Sequence, residues 1–183
     1  MIQIVHAHVR PRAYRHSRRV QRRLAEFAYG HALEKAGLAT SVNRSDSHSR
    51  GVSGAAIMPS GPIGLDIEFA QTTRDWPAIL SVFCADGDLV SRLSVNQSTR
   101  VWTCIEAWYK AFAVWPGAVE IECFLDFPAG QLAKFGAGRW AWSTEIYPGF
   151  QLCVVWEGRA DLPAITDLGL APFASLHGVS ECE

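Results

Sequence analysis

The sequence predicts an α+β fold. Hydrophobicity alternates with period two in several short segments and repeats with period 3.6 over two long ones, and the order strand, helix, sheet comes round twice. That repetition leaves two related α+β halves as one arrangement. The balance of 49% apolar to 19% charged residues, with seven Trp and nine Phe in 183 residues, supplies a core and excludes wholesale disorder. No run approaches the about 18 unbroken apolar residues of a membrane-spanning helix.

Ile2 to Val9 alternates and is β-branched, which predicts a strand ending before Pro11. From about Ser17 to Ala36 the pattern is helical. Val20, Leu24, Phe27, Ala28, His31 and Ala32 fall near one face, and Gly37 is placed to end the helix. Residues 40–54 are polar and Gly/Ser-rich, which reads as a loop. Gly54 to Met58 reads as a strand, residues 60–62 as a turn, and Ile63 to Phe69 as the second strand of that hairpin. One or two helices fit residues 75–95. Residues 98–114 form a strong helix, because Val101, Ile105, Trp108 and Phe112 make one stripe that stops at Pro116-Gly117. Val119–Phe127, Arg139–Ile146 and Gln151–Glu157 read as three strands, the last two joined by a turn at Pro148-Gly149. After about residue 160 the pattern is mixed.

The net charge of −1 hides an asymmetry. Residues 1–50 hold ten basic against three acidic residues (+7), and residues 51–183 hold seven against fifteen (−8). A basic first third fits an anionic partner, and equally a solvated helix face. Without a recognition motif or an aromatic stacking run, the arginines of residues 10–23 do not read as a nucleic-acid patch. The five cysteines are odd in number and none lies in a CxxC, so neither a disulfide framework nor a zinc ribbon is expected. With no leader-like order in MIQIVHAHVRPR, the expected setting is a reducing cytoplasm.

Three polar features stand out. In Gly64-Leu65-Asp66-Ile67-Glu68 the strand alternation puts both carboxylates on one face. Two repelling acids invite a hard cation, with Mg²⁺ favoured by oxygen-only ligands, although an acidic solvent face would look the same. In Glu106-Ala107-Trp108-Tyr109-Lys110 the acid and base are one helical turn apart. Taken alone that is a surface pair worth about 0.3–0.5 kcal/mol. Flanking aromatics instead suggest a covered cleft. Ser47-His48-Ser49 places an imidazole between two hydroxyls, a composition suited to phosphate. His6 and His8, two apart on a strand, could share a metal, but no third ligand is evident. Trp102 and Trp108 read as packing, and Gly64 as either a close approach or a turn.

In the order SHS, GLDIE, WxxxEAxxK these features resemble the 4′-phosphopantetheinyl transferase family, in its longer single-chain (Sfp-like) type. The likeness extends over residues 45–170, with Phe83 and Asp86-Gly87-Asp88 as an aromatic-acidic segment and Trp140 to Val155 as a closing hairpin. The resemblance implies two related α+β halves, each a small, mostly antiparallel sheet packed on a long helix. The halves would span residues 1–62 and 63–170, with a tail at 171–183. It implies transfer of the 4′-phosphopantetheine arm of coenzyme A to a serine of an acyl or peptidyl carrier protein, releasing 3′,5′-ADP. Asp66, Glu68 and Glu106 match the Mg²⁺ ligands. Glu106 and Lys110 match the catalytic pair, and His48, Ser49 and Lys110 would meet coenzyme A phosphates. Arg18 and Arg22 of the first helix could meet the 3′-phosphate or the acidic carrier. A soluble monomer with no membrane or nucleic-acid partner is the corresponding expectation.

The sequence departs from the family pattern at several positions. Ile105 stands where the family has Lys before the helix Glu, and FAVWP follows Ala111 in place of a Gly-rich turn. The Gly-Lys-Pro segment before SHS is absent. Two other readings therefore remain: a carrier-binding relative without catalysis, and a metal-dependent nuclease. The nuclease pattern is Glu-x-Lys on a strand, whereas here Glu-x-x-x-Lys lies on a helix.

Overall fold

The computed structural model describes residues 2–8, 18–38, 42–159 and 161–169. The first sheet contains β1 (Gln3–His8), β2 (Asn43–Ser49), β3 (Val52–Met58) and β8 (Ala164–Asp167), in the order β2-β3-β1-β8. The second contains β4 (Ile63–Phe69), β5 (Leu132–Phe135), β6 (Arg139–Tyr147) and β7 (Phe150–Glu157), in the order β4-β7-β6-β5. All pairs are antiparallel except β1 with β8. The fold is thus α+β with two mostly antiparallel sheets. In the first sheet β1 precedes helix α1 (Arg18–Ala36) and β2 and β3 follow it, lying in the order β2-β3-β1; in the second, β4 precedes α4 (Val95–Phe112) and β6 and β7 follow it, lying in the matching order β6-β7-β4.

The layers follow from alternation. On β1, Val5 faces α1 with Ala55 and Ile57 of β3, where Ala28 and Ala32 meet them. Ile4 points the other way, and with Val52, Ala56 and Met58 it packs on Ile63, Leu65, Ile67, Leu152, Val154 and Trp156 of the second sheet. Gly54 permits that approach, since a Cβ there would lie 2.9 Å from Ile67 Cδ1. The far face of the second sheet carries Cys153 and Val155 against Val101, Cys104, Ile105 and Trp108 of α4. Burying each large apolar side chain in these layers contributes about 1.5–3 kcal/mol. The unpaired thiols Cys104 and Cys153 are core filler here.

Two short helices, α2 (Trp76–Leu80) and α3 (Gly87–Arg92), precede α4 and are capped by Asp75 and Asp86. Ser94 and Gln97 form a reciprocal capping box at the start of α4. The stripe Val101, Ile105, Trp108 is buried as expected.

Four expectations need correction. Of the segment 40–54 expected as a loop, residues 40 and 41 lie outside the described residues, and residues 43–49 are β2, which turns through Arg50 (φ 45) and Gly51 (φ 84) into β3. Its inward residues Ser45, Ser47 and Ser49 are small and polar, so the period-two signal carries no hydrophobic contrast. The strands β3 and β4 do not form a hairpin, because both edges of β3 are taken by β1 and β2, and β4 pairs with β7. Residues 118–126 form helix α5 (Ala118–Asp126), not a strand. The alternation of Val119, Ile121 and Cys123 with two glutamates imitates a strand. Burial of Ile121 and Phe124, three apart, with Val119 exposed, is helical. Finally, residues 164–167 add a parallel edge to β1, in a region read as mixed.

Candidate functional site

The acidic strand β4 lies at the edge of the second sheet, with β2 of the first sheet along its free side and α4 across one face. Gly64 decides how close α4 comes. A Cβ there would overlap the Ala107 carbonyl oxygen and lie 2.6 Å from Ala111 N, so the glycine is a close approach and not a turn. Leu65 and Ile67 enter the core between the sheets, and Asp66 and Glu68 face α4.

Lys110 reaches from α4 to β4. Its Nζ donates to Asp66 Oδ1 at 2.8 Å and to the Leu65 carbonyl at 3.1 Å. The Asp66 side chain is only 10% exposed and the Lys110 side chain 30%, so this is a covered ion pair linking two elements. Lys110 is covered, as the flanking aromatics suggested, but its partner is Asp66 and not Glu106. Glu106, one turn earlier, makes no ion pair or hydrogen bond of its own among the described residues. Burial pushes its carboxyl above the ordinary value, the charges of Asp66 and Glu68 push it further, and the Lys110 ammonium pulls it back. The three acids thus share one electrostatic neighbourhood.

Glu68 is held from two sides. Its Oε1 accepts from Ser49 Oγ at 2.8 Å and from Phe69 N at 3.0 Å, and its Oε2 accepts from Arg74 Nη1 at 3.2 Å. The guanidinium of Arg74 also lies over the Trp76 ring. Ser47 Oγ donates to Asp66 Oδ1 at 2.8 Å. Three carboxylates therefore face two cations, Lys110 and Arg74, and a net negative charge remains to attract a further cation or be met by the solvent. Among the described residues no three His, Cys, Asp or Glu side chains stand ready to hold a metal as arranged. Lys110 engages Asp66 and Arg74 engages Glu68.

The other expected residues lie apart from this cluster. His48 is exposed on β2, on the side opposite buried Ser47 and Ser49. Arg22 is exposed on α1, across the first sheet from β4. The side chain of Arg18 lies outside the described residues. Ile105 is fully buried in the core of α4, so the departure from a lysine there is a packing choice. Arg74 and Ser45 escaped the sequence reading. The serines at 45, 47 and 49 form a period-two pattern that could have announced a strand, whereas Arg74 sits in an ordinary polar turn.

A second polar cluster joins β1 and β8 of the first sheet to β6 of the second. Tyr147 Oη donates to Asp167 Oδ1 and meets His8 Nδ1 at 2.9 Å. His6 Nδ1 is buried without a hydrogen bond, 3.6 Å from Asp167 Oδ1. Burial depresses the His6 imidazole below its ordinary value, partly offset by Asp167.

Alongside this geometry, no protein-family model matches the chain and no curated protein matches it.

Proposed function

We propose that this chain is a Mg²⁺-dependent transferase that moves the 4′-phosphopantetheine arm of coenzyme A to a serine of an acyl or peptidyl carrier protein and releases 3′,5′-ADP. One observation carries the reading. Two motifs about 40 residues apart in sequence, GLDIE and EAWYK, meet through the Lys110–Asp66 pair, with Glu106 one turn away. The shared connection order around α1 and α4 supports the two-halved architecture that goes with it.

The residues suit the chemistry. Asp66, Glu68 and Glu106 would hold the cation, and the excess of carboxylates over cations favours one. When bound, Mg²⁺ would neutralise charge on the diphosphate. Lys110 would exchange its bond to Asp66 for a phosphate oxygen as charge develops there. Glu106, with its raised carboxyl, is the base for the serine proton. The serine oxygen forms the new bond to phosphorus, and the bond to the ADP oxygen breaks, its electron pair leaving with 3′,5′-ADP.

A second reading draws on the same pair. With Lys110 engaged by Asp66 and Ile105 in place of a charge, the chain would bind a carrier without modifying it. Incubation with coenzyme A, Mg²⁺ and a panel of apo carriers, followed by mass spectrometry, separates the two. A pantetheine-sized gain supports transfer. Tight carrier binding with no gain and no coenzyme A affinity supports the second reading.

A further inference from the structure

We propose that Ser47 and Ser49 are positioning residues that hold the carboxylates of Asp66 and Glu68, and are not contacts to a ligand phosphate. The catalytic consequence rests on the function proposed above, but the structural half does not.

A serine hydroxyl has one proton to give and lone pairs to receive. Ser47 Oγ accepts from Ile67 N at 3.0 Å, so its single proton is free for Asp66 Oδ1 at 2.8 Å. Ser49 repeats the arrangement, accepting from Phe69 N at 3.2 Å and donating to Glu68 Oε1 at 2.8 Å. Both serines are buried, at 6% and 8% exposure, so neither donor is idle on the surface. Their protons are already committed to the acids, and a phosphate would have to take them away.

The strand geometry completes the case. Side chains two apart on β2 meet N–H groups two apart on β4, an edge that has no backbone partner on that side. Ser45 is the third rung. It accepts from Leu65 N at 2.8 Å, and no carboxylate receives its proton among the described residues. The ladder thus satisfies the β4 backbone at three rungs and aims a carboxylate at two. His48 points to the opposite side of β2, so the three residues of the SHS motif cannot converge on one group.

Ser45 supplies the control for the test. Urea unfolding of Ser49→Ala, Glu68→Ala and the double variant should show coupling on the order of tenfold in the unfolding equilibrium. The same cycle with Ser45→Ala and Glu68→Ala should show none. In the carrier-transfer assay, Ser49→Ala should lower kcat about tenfold with KM for coenzyme A within about twofold, as loss of an outer hydrogen bond does. Ser49→Thr, which keeps the hydroxyl, should recover the rate. Ser49→Val, of the same shape, should not, and this pair serves if the alanine variant fails to fold. Absent coupling, or a raised KM at unchanged kcat, overturns the proposal. A third cycle, with Ser47→Ala and Asp66→Asn, should couple as the Ser49 cycle does, and its absence overturns the Ser47 assignment. If the wild type modifies no carrier, the transferase reading fails, and the three cycles still decide what the serines hold.

Discussion

Replacing Lys110 by methionine keeps an apolar stem on α4 and removes the cation from Asp66. The Asp66 side chain is 10% exposed, and it would retain Ser47 as its hydrogen-bond donor. Stripping the partner from a buried ion costs about 3–5 kcal/mol. The Lys110 side chain is 30% exposed, so water reaches the gap and screening lowers the expected loss to about 2 kcal/mol. For a chain of this length that is a fall in Tm of about 4–8 °C. Urea unfolding at neutral pH measures it directly. Adding Asp66→Asn should return more than half of the loss, because a neutral amide no longer needs the ammonium. A loss below about 0.5 kcal/mol would place the pair among surface contacts and refute the reasoning. So would a double variant as weak as the sum of the singles.

Three further outcomes are expected of the same fold. Gly64→Ala should prevent folding or cost more than about 3 kcal/mol, since its Cβ would overlap the Ala107 carbonyl, and circular dichroism with urea titration checks it. The Glu106 carboxyl is raised above 4.5 in the fold, so the folded chain holds a proton that the unfolded chain releases, and stability falls as pH rises from 4.5 through the higher folded value. Glu106→Gln should therefore be the more stable at pH 7, by less than about 1 kcal/mol after solvent screening, with the gain gone in acid. His6 titrates below 6.5 in the fold, so the unfolded chain binds the proton first and stability declines as pH drops from 6.5 towards the folded value. His6→Gln should flatten that decline in a series of thermal melts.

Much of the fold was legible because its periodicities are hydrophobic. The stripe on α4 and the alternation in β1, β6 and β7 place their elements within a few residues. What was hidden lacked that contrast. The strand β2 buries serines, whose hydroxyls satisfy β4, so its inward face looks like a loop. In α5 the glutamates fall on alternate residues and mimic a strand while Ile121 and Phe124 do the packing. The pairing of β4 with β7 is a long-range choice that no local pattern specifies. In the site, the family resemblance put Asp66, Glu68, Glu106 and Lys110 in one group. The i, i+4 spacing paired Lys110 with Glu106 in a covered cleft, because that spacing is visible in sequence and the close approach allowed by Gly64 is not.

Calorimetric titration of coenzyme A is the most direct measurement of whether the acids of β4 and α4 serve a cation-bound diphosphate. With Mg²⁺ present the wild type should bind, and chelation or Asp66→Ala should each abolish the heat while the far-ultraviolet circular dichroism stays native. Binding indifferent to both, or no binding with Mg²⁺ in excess, would contradict it.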